Sequence, residues 1–196
     1  MLSVFEPDDV RIADFLERQA RLSYSYAEVG ATRGEPPAGY SFNIVRRELG
    51  RGEVAFAAAK SALLRWEHFN TSWTAVRPDR APVREGQVVA VLAWALGVWS
   101  LNACRIIYTV DDPGPPVRFG FGYGTLPGHM ESGEERFIVE WDRESDIVYY
   151  EIAAFFRPRH FLAKLGWLYG LQKVNRFRRE SAAAMAAAVN RLAAQN

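Results

Sequence analysis

Between positions 119 and 124 the chain reads Phe-Gly-Phe-Gly-Tyr-Gly, a pattern whose natural home is a β-strand. Side chains alternate between faces along a strand, so Phe119, Phe121 and Tyr123 point one way while Gly120, Gly122 and Gly124 leave the other face bare. Three glycines in one strand cost stability, which marks either a sharp bend or the close approach of another group or ligand to the bare face. Residues 125–133, Thr-Leu-Pro-Gly-His-Met-Glu-Ser-Gly, follow as a connection longer than the roughly two to five residues usual in hairpins. A second strand-like run, residues 134–141, completes the unit.

Charge and cysteine content narrow the classes of partner. A formal charge of +1 supplies no global field to recruit nucleic acid or an anionic membrane, so neither is an expected partner. The single cysteine, Cys104, excludes an internal disulfide and a cysteine-cluster metal site, which fits a reducing compartment. The opening stretch MLSVFEPDDV lacks the basic and apolar regions of a signal peptide. The longest apolar run, residues 88–99, is too short to cross a bilayer. The expectation is a cytoplasmic protein without an integral membrane segment. Nothing in the pattern divides residues 1–196, so a single domain is expected, with residues 1–39 as a helix-and-loop extension. Six Trp, eight Tyr and twelve Phe make the chain aromatic-rich, which suits a core or a cavity wall equally.

The remaining elements follow from spacing and punctuation. Residues 7–21 read as a helix with Asp8 and Asp9 at its positive end and Arg18 and Arg21 at its negative end. Residues 23–26 suggest a short strand, 28–39 a loop, 40–49 a strand and 53–66 a second helix. Strands are then expected over 72–76, 87–95, 101–110, 117–124, 134–141 and 146–157, joined by hairpin-scale links in an antiparallel meander. From Pro158 to about Ala194 a long helix closes the chain, with Trp167, Leu171, Val174, Ser181, Met185, Ala188 and Leu192 on one stripe. A sheet with one apolar face must bury it, and this helix is the only large cover left. The fold class is therefore α+β: a curved antiparallel sheet wrapped round a long C-terminal helix, with additional N-terminal helices.

With those elements in place a family resemblance emerges. Its carriers include Gly30-Ala31-Thr32, Gly39-Tyr40, Leu49-Gly50-x-Gly52 and Asn102-Ala103-Cys104-Arg105-Ile106. The densest are residues 120–129, GFGYGTLPGH, and 132–137, SGEERF, with Ala154-Phe155-Phe156-Arg157-Pro158 behind them. On these segments the chain resembles the DUF1990 family over nearly its whole length. That family is similar in outline to the helix-grip superfamily of lipid-transfer, polyketide-cyclase and plant-allergen-like domains (START and Bet v 1-like). The resemblance implies a helix-grip fold and carries no reaction with it.

Candidate chemistry gathers near the residue 125–133 loop. The Gly120-x-Gly122-x-Gly124 run is not a dinucleotide fingerprint, because a Pro-Gly loop and another strand follow where a helix should begin. His68, His129 and His160 lie on separate elements without ligand spacing, so neither a metal nor another cofactor is expected. His68 reads as a helix-end cap. His129, on the loop, is a candidate at a cavity rim, with a solvated surface histidine as the plainer alternative. Glu135 shares a face with Phe137, Val139 and Trp141. Facing inward it would sit in an aromatic cavity with a raised pKa, as a ligand contact or a general acid or base. The plainer alternative is a cross-strand ion pair with Arg118 or Arg105. Tyr123, Trp94, Tyr149 and Asn102 complete the expected ligand-binding set, beside a broader aromatic group of Trp99, Tyr108 and Phe155. Lys173, Arg176, Arg178 and Arg179 read as a solvated basic helix face. The expected partner is a small hydrophobic or aromatic molecule, and the alternative is a cyclase, dehydratase or isomerase using Glu135, His129 or Tyr123. Oligomeric state is not readable from the sequence.

Overall fold

The structure, a computed structural model, describes residues 1–159 and 167–194, the side chains of 167–169 and 171 excepted. Its elements are β1 (Leu2–Ser3), α1 (Asp9–Ala20), β2 (Ser41–Arg51), α2 (Gly52–Leu64), β3 (Thr74–Arg77), β4 (Val88–Ala95), β5 (Val98–Asp112), β6 (Val117–Thr125), β7 (Glu131–Asp142), β8 (Ile147–Pro158) and α3 (Trp167–Ala193). Short 3-10 turns lie at Ala31–Arg33 and Glu67–Phe69. The strands form one antiparallel sheet in the order β2-β8-β7-β6-β5-β4-β3, with β1 paired to β5. This is the helix-grip arrangement: β2, the first long strand, pairs with β8, the last, so the meander between them forms the rest of the sheet.

The sheet grips α3 from both sides. From near β3, the Trp73 indole N–H donates to Glu180 of α3 at 2.6 Å. From β8, the Tyr150 and Ser181 hydroxyls share a hydrogen bond of 3.0 Å. Phe177, Ala182, Met185, Ala188, Val189 and Leu192 of α3 are buried in one cluster with Phe121, Phe137, Val139 and Ile152 of the strands. The alanine-rich α2 joins that cluster through Ala55, Ala58, Ala59, Ala62 and Leu63, where small side chains allow close helix-sheet approach.

The other face of the sheet carries a second layer. On it α1, capped by the Asp8 carboxylate accepting from the Arg11 N–H, packs Ile12 and Phe15 against Ala90, Leu92, Leu101 and Ala103. Beside α1, residues 24–33 cover β6 to β8, and this layer explains the glycine stripe. A Cβ at Gly122 would stand 2.5 Å from the Tyr108 ring, and one at Gly124 would stand 2.0 Å from the Tyr26 hydroxyl. Close approach, one of the two roles expected of the stripe, accounts for both positions. A register shift between Ile106 and Tyr108 turns Tyr108 onto this face, although Cys104 and Ile106 point inward.

Most element boundaries shift by three residues or fewer, and three differences matter more. Residues 23–26 form no strand: 23 and 24 are irregular and 25 and 26 bend, with a backbone bond from the Ser25 N–H to the Thr125 carbonyl at 3.0 Å. The 125–133 connection shrinks to residues 126–130, because Glu131, Ser132 and Gly133 pair with Pro158, Arg157 and Phe156 of β8 rather than with β6. Pro158 consequently ends β8 and does not open a helix. The expected start of the last helix at residues 160–166, His160 included, lies outside the described residues.

His68 is not a helix-end cap. It is fully buried among the Trp66, Phe69, Phe121, Phe137 and Tyr150 rings, and among the described residues neither ring nitrogen has a hydrogen-bond partner. Burial pushes its pKa down to about 3 from 6.5. Below about pH 6.5 the unfolded chain therefore takes up a proton that the folded chain refuses, and stability drains as pH falls. In denaturant melts, wild type is expected to lose about 1.5 kcal/mol relative to His68→Phe between pH 6.5 and 5. Parallel curves for the two proteins would mean that the imidazole is open to protons in the native state.

Candidate functional site

The interior between sheet and α3 is divided along its length. At the α2 end the rings of Trp66, Phe69, Phe121 and Phe137 fill the space, with centroids 5.0 to 6.1 Å apart. Towards the 126–130 turn the side chains shorten to Val91 and Ala93 on β4, Ala154 on β8 and Val174 on α3, and a cavity of about 400 Å³ remains. Its apolar wall also includes Trp73, Phe156, Phe177 and Met130. Strand alternation sets these choices, since Val91, Ala93, Asn102, Tyr123, Glu135 and Ala154 all occupy inward positions.

A small polar group interrupts the apolar wall. The Tyr123 hydroxyl donates to the Glu135 carboxylate at 2.9 Å across the β6-β7 pair. Glu131 lies on the same face four residues earlier, and Arg178 of α3 borders the same space. Both glutamates keep part of their surface open to the cavity while protein encloses the rest. Burial raises the Glu135 pKa, with Arg178 and the Tyr123 hydrogen bond pulling against it. Burial and then the neighbouring Glu135 push Glu131 up to about 7, again against Arg178. Burial lowers Arg178, opposed by the two carboxylates. Tyr123 is driven well up by burial and then by Glu135, so its phenol stays protonated and able to donate.

Asn102 and His129 border the cavity too, and both hold the turn in place. The Asn102 side chain donates to the Val91 carbonyl at 3.2 Å and accepts from the Met130 N–H at 3.2 Å. His129 Nδ1 accepts the Glu131 N–H at 2.9 Å, which leaves Nε2 to carry the proton of a neutral ring. The Gly128 N–H is held by the Gln19 side chain of α1 at 2.7 Å. Cys104 is a buried inward residue of the core, its thiol raised well up by burial.

Four of the six expected ligand-binding residues thus meet at the cavity: Tyr123, His129, Glu135 and Asn102. Trp94 and Tyr149 do not. Trp94 is on the outward face of β4, 47% exposed, and Tyr149 lies on the outward face of β8 under the Arg46 guanidinium. Tyr108 and Phe155 likewise belong to the outer layer, Tyr108 against Thr32 and Phe155 against Tyr26 and Tyr40. The expected ion pair of Glu135 with Arg118 or Arg105 is absent because both arginines lie on the other face. Arg118 pairs with Glu140 at 2.6 Å, and Arg105 donates to the carbonyls of Ala20 and Leu22 at the end of α1.

Arg178 and Glu131 are the site residues that sequence reasoning missed. Arg178 is not on a solvated basic face, being only 2% exposed. The signal was available, since 174, 178, 181, 185, 188 and 192 step by four and three along one helix stripe. Glu131 was hidden by assigning it to a loop; as strand it shares the inward face of Glu135 and Phe137. Among the described residues no three His, Cys, Asp or Glu side chains converge as a metal-holding group, and no helix is long and apolar enough to cross a membrane.

Residues 25–184 match the family described as "Domain of unknown function (DUF1990)". A UPF0548 protein of Dictyostelium discoideum is 32% identical over 180 residues, covering 83% of each chain. Among solved structures, the hypothetical protein jhp0584 from Helicobacter pylori is similar with a TM-score of 0.51 at 9% identity, over 84% of this chain and 95% of that one. Human STARD10 is a looser likeness in outline, with a TM-score of 0.48 at 11% identity over 94% of this chain and 80% of that one.

Proposed function

The chain belongs to the DUF1990 family, and on that footing we propose that it captures a small apolar or aromatic molecule in the cavity between the sheet and α3. The carrying observation is the cavity itself, about 400 Å³ with walls of Val91, Ala93, Ala154, Phe156, Val174 and Phe177 and few polar groups. Ligand pockets have this size and make-up, roughly 300–1,000 Å³ and mostly apolar with a few polar groups that fix orientation. In a chain that packs the other half of the same interior with aromatic rings, an unfilled half forfeits dispersion contacts that a ligand would restore.

A thermal-shift screen of neutral apolar alcohols and polycyclic aromatics tests this. A ligand present at a hundredfold excess over its Kd stabilises the native state by about 2.7 kcal/mol. Ala93→Phe, which places a ring into the cavity from β4, is expected to abolish that shift while leaving a cooperative melt. A panel that moves neither protein, or moves both equally, would refute capture in this cavity.

A second function is favoured by one specific feature: Glu131 titrates near 7 beside a raised Glu135 and a protonated Tyr123. Such groups suit proton transfer to or from a bound molecule. The distinction is experimental. A catalyst changes the mass or connectivity of a captured molecule, and Glu135→Gln stops the change without stopping capture.

A further inference from the structure

We propose that the cavity takes an amphipathic carboxylic acid, whose carboxylate is anchored by Arg178 and whose apolar body fills the remaining space. This rests on the cavity being a ligand site and adds the chemistry of the ligand's polar end.

Arg178 lies on the buried stripe of α3 at 2% exposure, and its guanidinium carbon is 5.6 Å from the ring of Phe156, itself a cavity wall. Among the described residues neither Nε nor Nη2 has a hydrogen-bond partner. A desolvated cation with idle donors is costly, because each polar group withdrawn from water without a partner forfeits its solvation. Nε and Nη2 form one edge of the guanidinium, and a carboxylate matches that edge with two parallel charge-assisted hydrogen bonds. The unmet donors therefore match a bidentate oxyanion.

The surrounding charges choose among oxyanions. From β7 Glu131 and Glu135 face Arg178, Tyr123 and Cys104 face Glu135 from β6 and β5, His129 holds the Glu131 backbone, and Lys173 lines the cavity from α3. Two carboxyls beside one guanidinium disfavour a dianionic phosphate, whereas a single added negative charge is tolerated while Glu131 is protonated. A protonated Glu131 can also donate to the ligand. Above about pH 7 Glu131 ionises and repels the headgroup.

Titration calorimetry on the full chain, with probes matched in body and different in headgroup, tests the anchor. The pairs are decanoate with 1-decanol and 2-naphthoate with 2-naphthylmethanol. At pH 6 the acid of at least one pair is expected to bind about tenfold or more tightly than its alcohol, the range for hydrogen bonds to a charged group. Arg178→Met should erase that preference and leave alcohol binding in place, and Arg178→Lys should restore part of it. Glu131→Gln, which leaves α3 untouched, should raise the acid-to-alcohol affinity ratio at pH 8 and flatten its pH dependence. Equal binding of acid and alcohol to wild type overturns the anchor and leaves the cavity standing. A preference that survives Arg178→Met overturns it too. If Arg178→Met does not fold, an acid-to-alcohol ratio unmoved by Glu131→Gln at pH 8 overturns it alone. Failure of acids and alcohols alike removes the cavity as a ligand site, and the anchor with it.

Discussion

Deleting residues 167–196 is expected to leave a chain with no cooperative melt and no near-ultraviolet dichroism. In the intact protein Phe177, Met185, Val189 and Leu192 are buried against the sheet and α2. At about 1.5–3 kcal/mol for each large apolar side chain, these four alone contribute on the order of 6–12 kcal/mol. That equals the whole stability of a typical domain, about 5–15 kcal/mol. The deletion also bares Phe121, Phe137 and Ile152, which invites aggregation. A truncated protein that stays soluble and melts sharply by near-ultraviolet dichroism would show that α3 is an appendage.

Replacing Glu134 by Ala is expected to destabilise by about 3–5 kcal/mol, because it strips the shared acceptor from several buried hydrogen-bond donors. This carboxylate is 3% exposed on the outer face of β7 and clamps residues 24–33 to the sheet. It accepts from the Tyr26 hydroxyl at 2.9 Å, the Gly30 N–H at 2.7 Å, the Thr32 N–H at 3.0 Å and the Thr32 hydroxyl. Because the Thr32 proton is committed to Glu134, Tyr108 must donate to Thr32 Oγ1, at 2.6 Å. The variant leaves three buried donors and the half-buried Gly30 N–H unmet, each buried one costing about 1–3 kcal/mol less any rescue by water. Hydrogen exchange should localise the damage to residues 24–33, with α3 amides protected until global unfolding. A loss under 1 kcal/mol, measured by denaturant melts, would mean that water replaces the clamp.

Much of this architecture is legible in the sequence, and its failures have a common cause. Alternation and turn-rich separators marked every long strand, and the glycine stripe announced either a bend or a close approach. Alternation separates two faces but does not say which one looks inward. Both sides of this sheet are covered, one by α2 and α3 and the other by α1 and residues 24–33, so aromatic content cannot decide. Trp94 and Tyr149 therefore went to the wrong side. The bulge beyond Ile106 put Tyr108 out of phase with Asn102 and Cys104. Glu134 and Glu135 are neighbours with opposite tasks, one clamping the outer layer and the other facing the cavity. Gly30 and Thr32 meet Glu134 only in the fold, so the pairing of these two distant segments had no local signal.

The cavity is tested most directly by methyl-resolved NMR during titration with 1-decanol and 2-naphthylmethanol. Intermolecular Overhauser contacts are expected from ligand protons to the methyls of Val91, Met130 and Val174, while Ile12 of α1 and Leu101 beneath it stay silent. Contacts confined to the outer-face methyls, or none from either probe at saturating concentration, would contradict capture between the sheet and α3.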